Sequence, residues 1–186
     1  MKFSSYLLIL FIFLFLFLFQ SSNSSNLISQ SCKEASKNDP NLKYDFCVES
    51  LEDASSKLQP PPTNLEGLVC MSTQLTKSNG SNMVSIISKL LKDKSYDEYV
   101  KACLRDCFDL YSDSLSDLDD AVVAIKQKDF DTAAIKLSAS LDNSDTCEDQ
   151  FKEKKGEISP LTKENQVHFQ LNVISLAFLQ MFRQHY

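Results

Sequence analysis

The sequence predicts an all-α protein: an up-down four-helix bundle with a small helical hairpin in front of it. Three observations lead there. No proline falls between Thr63 and Ser159, and the 186 residues hold only three glycines, at 67, 80 and 156. That punctuation suits long helices and suits β-structure badly. Apolar residues recur in steps of three and four over long stretches, which is the helix period. The connections between those stretches are short, which makes neighbouring helices antiparallel.

The chain opens MKFSSYLLILFIFLFLFLFQSSNSSN. Lys2 supplies a short positive start, and Tyr6 to Phe19 is an unbroken apolar run. The run falls short of the ~20 residues that a membrane span needs. Small polar residues follow, with Ser22 and Ser24 suited to a cleavage site. Residues 1–25 therefore read as a secretory signal peptide, cleaved near residues 22–25. Residues 26–186 form the mature domain, large enough for one proper core.

Residues 26–58 are expected to form the hairpin, with Cys32 and Cys47 bracketing "DPNLKYD". Residues 63–186 are expected to form the bundle. Its first helix follows Pro60-Pro61-Pro62, with Thr63 and Glu66 as a capping box and Leu68, Met71 and Leu75 as its stripe. "SNGSN" at 78–82 interrupts the pattern before Met83, Ile86, Ile87 and Leu90 resume it, which predicts one kinked helix or two. The second helix starts at Ser95, with Glu98 completing another box, and carries Val100, Leu104, Cys107, Leu110, Tyr111, Leu115, Leu118, Val122 and Ile125. The third runs from Asp129 to about Leu141, with Phe130, Ala133, Ala134, Leu137 and Leu141 on one side. The fourth has Ser159 as N-cap and Pro160 at its first position, and runs through Val167, Leu171, Ile174, Phe178 and Phe182.

Removing residues 1–25 takes away one lysine and no acid, so the mature charge is 18 − 25 = −7. An acidic chain without a basic stripe excludes nucleic acid and anionic membrane surfaces as partners. Its two histidines, His168 and His185, read as surface or boundary imidazoles. There is no G-x-S-x-G, no phosphate loop and no Glu-x-x-His pair of a di-iron bundle, and the acidic run Asp113 to Asp120 reads as a solvated helix face. Nothing here is an enzyme, and no cofactor is implied.

Cys103 and Cys107 stand four apart, so on a helix they share a face. Such a pair is half a metal site, a redox pair, a disulfide anchor or two small core residues. A zinc site needs a second close pair, and none exists. Export puts all six cysteines in a disulfide-permissive compartment. Asn23 and Asn79 head glycosylation sequons, the first at the cleavage site itself. A secreted, acidic, helical chain of this kind acts by binding something.

Three stretches carry a resemblance. "SCKEASKNDPNLKYDFCVESL" (31–51) resembles the N-terminal cysteine hairpin of the plant invertase and pectin methylesterase inhibitors. "CLRDCFDLYSDSLSDLDDAV" (103–122) is similar to that family's central helix. "KDFDTAAIKLSASLDNSDTCEDQFKEKKGEISPLTKEN" (128–165) resembles its third helix, its "TCEDGF"-type cysteine motif and the start of its last helix. The likeness spans essentially the whole mature chain, and within the family it runs to the pollen-allergen-type invertase inhibitors.

The resemblance implies two disulfides, Cys32 with Cys47 and Cys107 with Cys147. By loop-closure entropy these would contribute about 3 and about 4 kcal/mol. Cys70 and Cys103 depart from the family pattern. They form either a third bridge, invited by two spare cysteines on adjacent helices, or two buried thiols. The resemblance also implies a monomeric, stoichiometric inhibitor that plugs the active-site cleft of a pectin methylesterase or an acid invertase, in the cell wall or the vacuole. In the invertase inhibitors of the family a Pro-Lys-Phe element between the second and third bundle helices enters the cleft. Here the corresponding residues are Lys128, Asp129 and Phe130. Aspartate stands where the lysine should, either repelling catalytic carboxylates or acting as the N-cap of the third helix, with Lys128, one residue off, as a substitute for the missing lysine. "KDFD" is closer to the "KDYD" of the methylesterase inhibitors, which points to pectin methylesterase, with invertase as the alternative and a non-inhibitory secreted protein as the third possibility.

Overall fold

A computed structural model describes residues 24–185. The expected leader lies outside the described residues, apart from Ser24 and Ser25. Six helices follow one another: α1 (24–38), then α2 (Tyr44–Ser56), α3 (Leu65–Leu90), α4 (Glu98–Gln127), α5 (Phe130–Lys152) and α6 (Thr162–His185). The last four form the bundle. Each packs against two neighbours, α3 on α4 and α6, and α5 on α4 and α6, which gives a square cross-section. The hairpin α1–α2 lies against it, with α2 touching α3 and α6, and Cys32 is bonded to Cys47 across it. No helix among the described residues is long and apolar enough to cross a membrane.

Several boundaries differ from expectation, each for a local reason. Asn64 and Asp97, not Thr63 and Ser95, cap α3 and α4. Their side chains accept from Gly67 N and Val100 N, the N3 amides that Asx caps satisfy. α3 is one uninterrupted helix through "SNGSN". Gly80 lies buried there, and a Cβ on it would come within 3.2 Å of Leu115 and 3.4 Å of His168. Close packing thus outweighs the ~1 kcal/mol that glycine costs a helix. α5 continues to Lys152 rather than stopping near Leu141. Its inward stripe from there is Ser140, Ser144, Cys147 and Phe151, in steps of four, three and four. A hydropathy pattern under-reads such a stripe because two of its members are serines. α6 begins at Thr162. Ser159 and Pro160 form the turn before it, where Ser159 Oγ accepts from Leu161 N at 3.1 Å.

The core divides in two. One cluster, at the hairpin end, includes Leu68, Leu118, Ile125, Leu137, Ile174 and Phe178 together with Ile28 and Leu51 of the hairpin. The other, at the far end, is built on Met83, Ile87, Leu104, Cys107, Tyr111, Cys147 and Phe151. Between them lie buried polar side chains from all four bundle helices, among them Thr76, Ser114, Ser140, His168 and Ser175. His168 is 0% exposed, so the expected boundary position is corrected; His185 is exposed.

Cys107 is bonded to Cys147, joining α4 to α5. The third bridge does not form: Cys70 and Cys103 are free. They lie in different clusters, because Cys70 sits near the start of α3 and Cys103 near the start of the antiparallel α4. Cys70 lies beside Val122 and Lys126 of α4, roughly twenty residues beyond Cys103, which at ~1.5 Å per residue is about 30 Å along the bundle. Peptide mapping of the non-reduced protein is expected to find both disulfides and thiols at 70 and 103. Cys107→Ser should cost about 4 kcal/mol in urea unfolding, from the opened 40-residue loop, and Cys103→Ser markedly less; equal losses would refute this pairing.

Candidate functional site

Lys128, Asp129 and Phe130 make the corner between α4 and α5, and the chain reverses there with almost no loop. Lys128 has φ 62° and ψ 22°, the left-handed region. Its N–H donates to Ile125 O at 3.1 Å, and Asp129 N–H donates to Ala124 O at 2.9 Å. Those two bonds are the Schellman motif, which closes the orphan carbonyls at a helix C-terminus. Glycine usually fills the left-handed position; a side chain there costs about 1–2 kcal/mol. What holds a lysine in place is its side chain. Lys128 Nζ lies 2.5 Å from Glu66 Oε1 of α3 and 4.6 Å from the centroid of the Phe182 ring of α6. The corner is thereby tied to the two helices it does not belong to.

Asp129 then caps α5, accepting from Thr132 N at 3.1 Å. Hydrogen bonds from Thr132 hold its carboxyl below the usual range, so it is anionic. The carboxylate is exposed. Phe130 is half-buried and meets Phe182 edge to face, with centroids 5.5 Å apart. Asp131 is exposed as well and pairs with Arg183 at 2.7 Å. The structure therefore brings the three predicted residues together, and it turns the lysine back onto the bundle while carboxylates face outward. Glu66, Phe182 and Arg183 complete the corner. They come from helices far away in sequence, and no local pattern marks them.

The remaining predicted residues lie elsewhere. Asn79 is half-buried at mid-α3. Its Oδ1 bonds His168 Nδ1 at 3.0 Å, which leaves its Nδ2 edge, beside a groove lined by Phe46, Asn82 and Val167, as the point where a glycan would attach. Cys70 is half-exposed in the groove between α2 and α3, near Met71 and Gln74. Burial pushes its thiol up, and that of Cys103 too, which makes both poor nucleophiles. The acidic run of α4 is mostly solvated, with Asp117 and Asp120 both bonded to Lys136 of α5 at 2.8 Å.

Because Asp129 closes the first turn of α5, Asp129→Ala should lower the thermal midpoint. Asp129→Asn, which keeps an accepting oxygen, should retain most of it. Identical midpoints for wild type and alanine variant would show that the cap is idle.

Residues 26–178 match the family model described as plant invertase/pectin methylesterase inhibitor. A protein of Platanus acerifolia named "Putative invertase inhibitor" is 41% identical over 85% of this chain and 86% of its own. "Pectinesterase inhibitor 12" of Arabidopsis thaliana is also 41% identical, over 83% of this chain and 87% of its own. A crystal structure of a mutant form of a pectin methylesterase inhibitor from Arabidopsis shares the fold, with a TM-score of 0.63 and 23% identity over 74% of this chain and 89% of that one. The helical bundle, its disulfides and these likenesses lead to one conclusion: the chain belongs to the plant invertase/pectin methylesterase inhibitor family, and it is an enzyme inhibitor rather than an enzyme.

Proposed function

We propose that the protein is exported, loses its leader near residues 22–25, and acts in the cell wall as a monomeric, one-to-one inhibitor of pectin methylesterase, lodged in the active-site cleft. The observation that carries the choice of target is the α4–α5 corner. An invertase reading, by the resemblance drawn above, asks for a lysine that enters a cleft of catalytic carboxylates. The ammonium of Lys128 is instead engaged by Glu66 and Phe182, and the outward group at the next position is the Asp129 carboxylate. A negative charge presented to a carboxylate pair is repelled. The methylesterase reading requires no such lysine, and its "KDYD" pattern is the nearer one. Relatives named for each target are equally identical to this chain, so the names themselves do not discriminate, and the corner is what supports the methylesterase reading.

The Platanus likeness keeps acid invertase as the second reading, and one titration separates the two. Oxidised protein added to a pectin methylesterase at mildly acidic pH is expected to remove activity linearly to a one-to-one equivalence point, and to leave an acid invertase untouched. Titration of the invertase alone would reverse the assignment, and no effect on either enzyme would make this a non-inhibitory member. Asp129→Lys restores the missing cation. It should add inhibition of the acid invertase, where the wild type is expected to have none.

A further inference from the structure

The polar layer between the two halves of the core has no part in the corner, and among the members named here only Asn79 borders a surface groove. It is nevertheless assembled from every bundle helix. At its centre is the His168 ring of α6, fully buried. Asn79 Oδ1 of α3 lies 3.0 Å from Nδ1; an amide oxygen only accepts, so Nδ1 carries the ring hydrogen. Nε2 is then an acceptor and takes the hydroxyl of Ser140 of α5 at 3.3 Å. Ser140 is linked in turn to Ser114 of α4 at 2.7 Å. The Tyr111 ring of α4 stands edge-on against the imidazole, with centroids 5.0 Å apart, and its hydroxyl donates to Asn165 Oδ1 at 2.9 Å. Below the ring, Thr76 and Ser175 join α3 to α6 at 3.2 Å.

Each of these partners suits a neutral imidazole. Facing the ring, α3 offers Asn79 and Gly80, α4 offers Tyr111 and Ser114, and α5 offers Ser140. Of these only Tyr111 titrates, and burial together with Glu148 and Asp145 pushes its phenol far up, so it stays uncharged. Glu148 reaches the layer only through Asn165 Nδ2, at 2.8 Å. A second ring proton would place a positive charge in this layer with no carboxylate beside it. It would also force Nε2 to donate to Ser140, reversing the hydroxyl chain toward Ser114. Isolated buried charge is among the most costly states a core can hold.

We propose that the layer around His168 is an acid-sensitive latch: it locks the four helices while the imidazole is neutral, and protonation of the ring loosens the bundle. The inference concerns the fold and does not depend on which enzyme is the target. Burial pulls the ring from 6.5 down to about 4. Between those values the unfolded chain binds a proton that the folded chain refuses. The stabilisation is therefore complete above pH 6.5 and is lost as pH falls toward 4, where the folded ring protonates too. Other groups do not imitate this. Asp93, Asp97 and Asp129 are all held below their usual range and act at lower pH. Asp145 is pushed up by burial and by Asp149 and Asp142, which gives the opposite sign.

Urea unfolding of the full mature chain at pH 7 and pH 5 reads the effect. The folded-to-unfolded ratio of the wild type is expected to drop by about twentyfold, while His168→Gln, starting from lower stability, should change by less than about threefold. A wild type that keeps its ratio, or a variant that loses it as steeply, overturns the proposal. Should His168→Gln fail to fold, the wild type decides alone. The ring resonances of His168, told apart from those of His185 by an His185→Asn variant, should remain those of a neutral imidazole at pH 5.5 in the folded protein. Titration of the folded-state signal near pH 6.5 would refute the latch.

Discussion

Whatever this molecule presents to a partner depends on α4 and α5 being held at both ends. One end is the Schellman corner at Lys128, where the C-terminus of one helix becomes the cap of the next within two residues. The other is the Cys107–Cys147 bond, about 30 Å away at the helical rise. A pair of antiparallel helices fixed at two distant points can neither slide nor splay. The register of the remaining contacts follows, including Lys136 between Asp117 and Asp120 and Asn143 Nδ2 on Leu110 O at 3.0 Å. The corner is also the point from which α3 and α6 are reached, through Glu66 and Phe182. One residue in a disfavoured backbone region thus connects all four helices at that end of the bundle.

The interior answers a different demand. An apolar core running the full length of four helices would tolerate a shift by one turn with little penalty, since leucine replaces leucine. A polar layer does not, because Asn79, Ser114, Ser140 and His168 find partners in one alignment only. Buried polar groups specify register in this way at some cost in stability. The cost is visible here: Asn172 donates to the His168 carbonyl at 3.1 Å, yet its own Oδ1 is buried without a partner.

Much of the fold was legible because it rests on period and punctuation. The steps of three and four through α4 and the absence of proline from 63 to 159 are long-range statistics that single residues cannot spoil. What failed was local and tertiary. Thr63 with Glu66, and Ser95 with Glu98, satisfy the capping-box spacing, but Asn64 and Asp97 outcompete them because a short carbonyl side chain reaches the N3 amide directly. "SNGSN" looks like a break, and only the proximity of Leu115 and His168 explains its helix. His168 looked like an edge residue because its partners, Asn79 and Ser140, lie 89 and 28 positions away. In the candidate site the three consecutive residues could be read, and the clamp that orients Lys128 could not.

That clamp changes what residue identity at the corner means. Reading Lys128 as a displaced substitute for a target-binding lysine treats the sequence as a list of exposed groups. A residue at positive φ is selected first for what can stabilise an unfavourable backbone. A lysine achieves this by placing its methylene stem and ammonium over Phe182 and against Glu66. Its charge is spent inside the molecule, and the surface beyond it takes its sign from Asp129 and from Asp131, whose exposed carboxylate is matched by Arg183. On the function proposed above, specificity at this corner would be set by the residue that the fold leaves outward, the α5 cap Asp129. The same carboxylate that caps α5 is the one a partner docked on this corner would meet. A substitution there that retuned the target would also have to supply a new cap, which would couple recognition to stability at one position.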